Sequence, residues 1–86
     1  MGVKLTLLVR AYCHLCEEMR EELAPLLGSG KATLELLDVD ADPALEARWG
    51  DKVPVLLGGE QELCHYRLDA VAVARWLGET SSIASR

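Results

Sequence analysis

The run Leu5-Thr6-Leu7-Leu8-Val9 is apolar at nearly every position. A strand sends successive side chains to opposite faces, so such a run demands cover on both. That requirement selects a sheet with layers above and below it over a sheet with one wet face. The run ends at Arg10-Ala11-Tyr12, and an amphipathic segment begins at once with Cys13-His14-Leu15-Cys16. Met19, Leu23, Leu26 and Leu27 continue at helical spacing the apolar stripe that Cys16 opens. Glu17, Glu18, Glu21 and Glu22 lie off the stripe and form a solvated face. The pattern predicts a helix from Cys13 to Leu27, distorted late by Pro25 and stopped by Gly28-Ser29-Gly30.

The remaining elements follow in short pieces. Thr33 to Val39 reads as a second strand. Asp38, Asp40 and Asp42 then alternate in the manner of a calcium loop. That loop needs Gly at its sixth position and Glu at its twelfth, where this chain has Pro43 and Trp49, so calcium is rejected. Asp42 as N-cap and Pro43 at the first helical position account better for the segment, with a short helix through Trp49 closed by Gly50. Val53 to Leu57 is a third strand, Gly58-Gly59-Glu60 a hairpin turn, and Leu63 to Tyr66 a fourth strand. Asp69 caps a last helix ending at Leu77-Gly78. The order is β-α-β-α-β-β-α, an α/β fold. Helical crossovers would make the first three strands parallel, and the last two form an antiparallel hairpin. Residues 1–78 form one domain, and 79–86 are expected to be a flexible tail.

At 86 residues there is room for one core. The formal net charge is -5 and no basic cluster occurs, which excludes nucleic acid as a partner. No run approaches membrane-spanning length, and Leu5–Val9 is too short for a secretory signal. Met1-Gly2 with Thr6 matches a myristoylation pattern, but Gly2 leads straight into a strand with no free arm. Three cysteines are an odd number and do not form a disulfide framework. These features point to a soluble, cytoplasmic monomer.

In a reducing compartment an isolated C-x-x-C is catalytic or metal-binding more often than structural. Two cysteines three apart on a helix lie one turn apart, within the roughly 4.4–6.8 Å Cα separation of a disulfide. They are not equivalent. Cys13 stands at the helix start, where unpaired N–H groups and the helix dipole favour thiolate. Cys16 lies on the apolar stripe and should be buried. Cys13 is therefore assigned as nucleophile and Cys16 as resolving thiol, with Arg10 and His14 as neighbouring sources of positive charge.

Taken together, the first strand, the segment Arg10 to Cys16, Val53-Pro54-Val55 and the closing hairpin and helix resemble the glutaredoxin branch of the thioredoxin-like superfamily. The resemblance spans about residues 4–77. It implies a four-stranded mixed sheet with helices on both faces. It also implies a cis Val53-Pro54 peptide facing the cysteines, whose backbone pairs with a bound peptide or glutathione. Arg10 matches a basic position that many glutaredoxins keep three residues before the nucleophile. The implied activity is thiol–disulfide exchange, on a disulfide-containing protein or on glutathione as co-substrate, with no bound cofactor or metal. Two departures stand out. His14-Leu15 replaces the usual Pro-Tyr between the cysteines. Arg67-Leu68-Asp69 stands where glutaredoxins carry a Gly-Gly-acidic turn for the glutathione carboxylate, and Asp69 alone matches.

Other residues have plainer readings. Tyr12 either packs over a substrate disulfide or flanks the core. Trp49 and Trp76 read as packing residues, and Cys64 as a small hydrophobe in the fourth strand. His65 points away from Cys64, so the two do not share a metal, and Cys13 with Cys16 falls short of a four-ligand zinc set. The competing class is a non-catalytic module of the same fold that carries a metal or iron–sulfur cluster, or docks a partner along the Val53-Pro54 edge.

Overall fold

The structure, a computed structural model, describes residues 3–27 and 32–84. The Met1-Gly2 pattern, the Gly28-Ser29-Gly30 stop and the end of the expected tail lie outside the described residues. Strand β1 (Val3–Val9) leads into helix α1 (His14–Leu23), which tightens to a 3-10 turn over Ala24–Leu27 around Pro25. Pro25 lacks the N–H that would continue the α-helical ladder. Strand β2 (Ala32–Asp38) is followed by a 3-10 turn, Val39–Ala41, and helix α2 (Pro43–Trp49). The Asp42 side chain accepts from the Ala44 N–H at 2.9 Å, capping α2. Strands β3 (Val55–Gly58) and β4 (Gln61–His65) form the hairpin, and helix α3 (Ala70–Ala84) ends the fold. The hairpin turn needs only Gly59-Glu60, with Gly59 in the left-handed region at φ 61°.

The sheet runs β2-β1-β3-β4, a mixed sheet as expected. One expectation is corrected. Strand β1 is parallel to β2 but antiparallel to β3, so the first three strands are not all parallel. Length explains the reversal. A parallel β3 would require its connection to run back along strands of seven residues, roughly 23 Å. Helix α2, at seven residues, reaches only roughly 10 Å. The chain therefore enters β3 at the end where β2 left the sheet. A second difference lies in α3, which runs through Gly78 to Ala84. Glycine inside a helix costs about 1 kcal/mol and does not by itself stop one.

Both faces of β1 are covered. Leu5 and Leu7 join Leu56, Met19, Leu23 and Val73 in one core beneath α1 and α3. Leu8 joins Val39, Trp49 and Val55 in a second core beneath α2. The alternation of a single strand thus divides between two hydrophobic layers. Among the described residues, no helix is long and apolar enough to cross a membrane.

Candidate redox site

Helix α1 starts one residue later than its apolar stripe suggests, which makes Cys13 the N-cap. Cys13 is extended, with φ -103° and ψ 104°, and its Sγ accepts from the Cys16 N–H at 3.1 Å. Its carbonyl accepts from the Glu17 N–H at 3.2 Å. Sulfur thus takes the place that a serine or aspartate oxygen usually fills, and receives a donor the helix cannot use internally. Cys13 and Cys16 form a disulfide with Cα atoms 5.2 Å apart. Cys16 is buried, on the stripe with Met19 and Leu23, and Cys13 is partly exposed.

Tyr12, just before the pair, has φ 58° and a fully exposed side chain. Its ring belongs to no core. The left-handed conformation costs a tyrosine roughly 1–2 kcal/mol. Tyr12, Arg10, Cys13 and Cys16 line one pocket of about 220 Å³, together with Val9, Arg20 and Leu36. Leu36 is exposed, and nothing in the apolar pattern of β2 distinguishes it from the partly buried Leu34 and Leu37.

The Arg10 guanidinium is engaged by acidic groups. Its Nε and Nη2 donate to the two carboxylate oxygens of Asp40 at 3.0 and 2.9 Å. Nη2 also lies 3.5 Å from Glu46, and Nη1 donates to the Gly50 carbonyl at 3.3 Å. The hydrogen bond to Asp40, opposed by desolvation and helped by the charges of Asp40 and Glu46, pushes the guanidinium pKa further up. One side chain therefore ties the loop before Cys13 to the segment before Val53-Pro54. Asp40 had been legible only as part of the aspartate series.

The Val53-Pro54 peptide is cis and Pro54 is buried. The Pro54 carbonyl accepts from the Tyr66 N–H at 2.9 Å, and the Tyr66 hydroxyl donates to the Asp51 carbonyl at 2.7 Å. Tyr66, also left-handed at φ 65°, directly follows β4. It lines a second pocket, about 130 Å³, with Arg67, Leu68 and, from α1, Leu15 and Glu18. Tyr66, a residue the sequence did not single out, is thus bonded to the proline loop and lines a pocket with the first turns of α1. Asp69 lies at the end of this loop, where its carboxylate accepts from the Ala72 N–H at 3.0 Å and caps α3.

His14 points outward and pairs with Glu18, one turn on, at 2.9 Å. His65 pairs with Glu62 at 2.7 Å. A bulge between Leu56 and Leu57 of the ladder leaves Leu63 as the extra residue, which brings those two to the same side. Cys64 is half-buried against the α1–α3 core, and desolvation pushes its thiol pKa up. Among the described residues, no group of three or more His, Cys, Asp or Glu is placed to hold a metal ion.

A four-stranded mixed sheet, helices on both faces and a disulfide at the start of α1 define a thioredoxin-like protein. The solved thioredoxin 1 of Thermosipho africanus TCF52B shares this fold, with TM-score 0.65 at 18% identity over 96% of this chain and 99% of its own. Residues 4–78 match the Glutaredoxin-like domain (DUF836), and the chain belongs to that family. Protein Ne2328 of Nitrosomonas europaea is similar in structure, with TM-score 0.78 and 36% identity, covering 88% of this chain and 92% of that one. So is protein XcR50 of X. campestris, with TM-score 0.68 and 36% identity over 87% and 96%. An uncharacterised protein, Rv0508 of Mycobacterium tuberculosis, is 32% identical over 73 residues, 77% of this chain and 73% of its own.

Proposed function

We propose that this protein is a thiol–disulfide oxidoreductase of the cytoplasm, acting as a monomer. The observation that carries the reading is the contrast within the disulfide. Cys13 is accessible and its sulfur accepts a helix N-terminal N–H, while Cys16 is buried. In the reduced protein the same donor stabilises a Cys13 thiolate. That thiolate attacks one sulfur of a substrate disulfide. The substrate S–S bond breaks, and its other sulfur leaves as a thiolate and takes a proton. Cys16 then loses its proton and attacks Cys13 Sγ, restoring the Cys13–Cys16 disulfide and releasing the second substrate thiol. Two electrons pass from the dithiol to the substrate, and an external thiol reductant restores the dithiol. In this reading the backbone of the cis Val53-Pro54 segment serves as the platform for a bound substrate.

The test uses bis(2-hydroxyethyl) disulfide, a small uncharged substrate. Cys16→Ser is expected to trap one mercaptoethanol on Cys13, seen by mass spectrometry, and Cys13→Ser to accumulate none. Absence of exchange in the reduced wild-type protein and in both variants would end the redox reading.

A further inference from the structure

Cys13 reaches the head of α1 through a turn that holds one residue against its preference. Tyr12 has φ 58°, a left-handed conformation that a residue with a Cβ keeps only under constraint. Its ring is fully exposed and buries nothing that would offset the cost. The constraint therefore comes from the flanks. On one side Cys13 is extended, and its Sγ accepts from the Cys16 N–H at 3.1 Å. On the other side stands Arg10.

Arg10 is fixed by a closed circuit. Val9, its neighbour in the chain, pairs with Asp38 at the end of the β1–β2 ladder. The Asp38 carboxylate accepts from the Asp40 N–H at 2.8 Å, which sets the turn that carries Asp40. Both Asp40 carboxylate oxygens then accept from Arg10, at 3.0 and 2.9 Å. Two bonds between planar groups fix orientation as well as distance. The Gly50 carbonyl accepts from Nη1 at 3.3 Å. A Cβ on Gly50 would stand 3.3 Å from Arg10 Nη2, so the guanidinium lies close against that backbone. Only Ala11 and Tyr12 remain between this anchor and the N-cap.

We propose that Asp40 is a positioning residue for Cys13: its grip on Arg10 holds the left-handed turn at Tyr12, and so keeps Cys13 Sγ within reach of the Cys16 N–H. The proposal rests on the reading of Cys13 as the attacking thiol and names what sets that thiol's reactivity. A direct effect of charge has the opposite sign. Asp40 is an anion, so its removal would by charge alone favour the Cys13 thiolate. The other charges near Cys13 stay the same when Asp40 is replaced. Arg10, Glu17 and Arg20 line its pocket, His14 is paired with Glu18, and Glu46 stays beside Arg10.

The test is iodoacetamide alkylation of Cys13 in the chemically reduced protein, read by peptide mapping below neutral pH. Asp40→Ala is expected to slow it roughly threefold, as the thiolate fraction falls with the lost N–H bond. Asp40→Asn loses the same charge but keeps one acceptor oxygen, and should slow it less. Glycine enters the left-handed region freely, so in Tyr12→Gly the turn needs no grip. Adding Asp40→Ala to Tyr12→Gly should then change the rate little. Urea unfolding establishes that each variant is folded. Should Asp40→Ala not fold, Asp40→Asn carries the same test with the same sign. Alkylation as fast as in the wild type, or faster, overturns the positioning role. So does an equal slowing by Asp40→Ala in the Tyr12→Gly background, and both outcomes leave the redox reading intact. Exchange of the wild type with bis(2-hydroxyethyl) disulfide is measured alongside. No exchange, with the alkylation differences as expected, ends the redox reading and leaves the role of Asp40 standing.

Discussion

The Cys16 backbone N–H donates to Cys13 Sγ over 3.1 Å, so the resolving residue's own amide supports the attacking sulfur. The two thiols of the reduced protein should therefore differ. Iodoacetamide is expected to alkylate Cys13 faster than Cys16 below neutral pH, read by peptide mapping. Equal rates at both sites across pH would contradict the helix-terminus account.

Asp69 caps α3 through the Ala72 N–H. Replacing an N-cap by alanine costs about 1 kcal/mol. Asp69→Ala should lower the unfolding free energy by about that amount, and Asp69→Asn by much less, since the amide oxygen still accepts. Urea titrations of the three proteins check this. Equal losses in both variants would mean that the charge, not the cap, matters.

Gly58 lies under the Trp76 ring. A Cβ at this position would stand 2.5 Å from Trp76 Cε2, closer than two carbons can approach. Gly58→Ala is expected to destabilise by about 1–3 kcal/mol, as overpacking does. Trp76→Leu in the same chain should recover part of the loss, a coupling that a double-mutant cycle measures.

Cys64 keeps its proton more tightly folded than unfolded, because burial raises its pKa. Above the unfolded value of about 8.5, the unfolded chain sheds this proton first. The contribution is fully present below that pH and is lost as pH rises through the folded value. With Cys13–Cys16 oxidised, stability of the wild type should fall more steeply between pH 8.5 and the folded value than stability of Cys64→Ala, both being followed by urea unfolding at stepped pH. Parallel curves would contradict it.

Much of the site was readable because its causes are local. Cys13 and Cys16 sit one turn apart by spacing alone, and the apolar stripe through Met19 and Leu23 settles which sulfur is buried. Asp42 and Asp69 cap helices that begin one residue later, in the place where short acidic side chains meet unpaired N–H groups. Other features join residues far apart in the chain. The sequence places Arg10 three residues before Cys13 and suggests that its charge serves the sulfurs. The fold brings Asp40 and Gly50 to it from 30 and 40 residues away. Tyr66 meets Pro54 for the same kind of reason, and no local pattern announces either pairing.

By itself, then, the sequence determined the order of elements, the two-sided burial of β1 and the asymmetry of the Cys13–Cys16 pair. Each depends on periodicity or on neighbours within one helical turn. Tertiary structure decided the antiparallel entry of β3, the capture of the Arg10 charge by Asp40 and the exposure of Leu36 beside the disulfide. Those depend on how far a short helix reaches and on which distant groups then meet, and a linear pattern does not encode that distance.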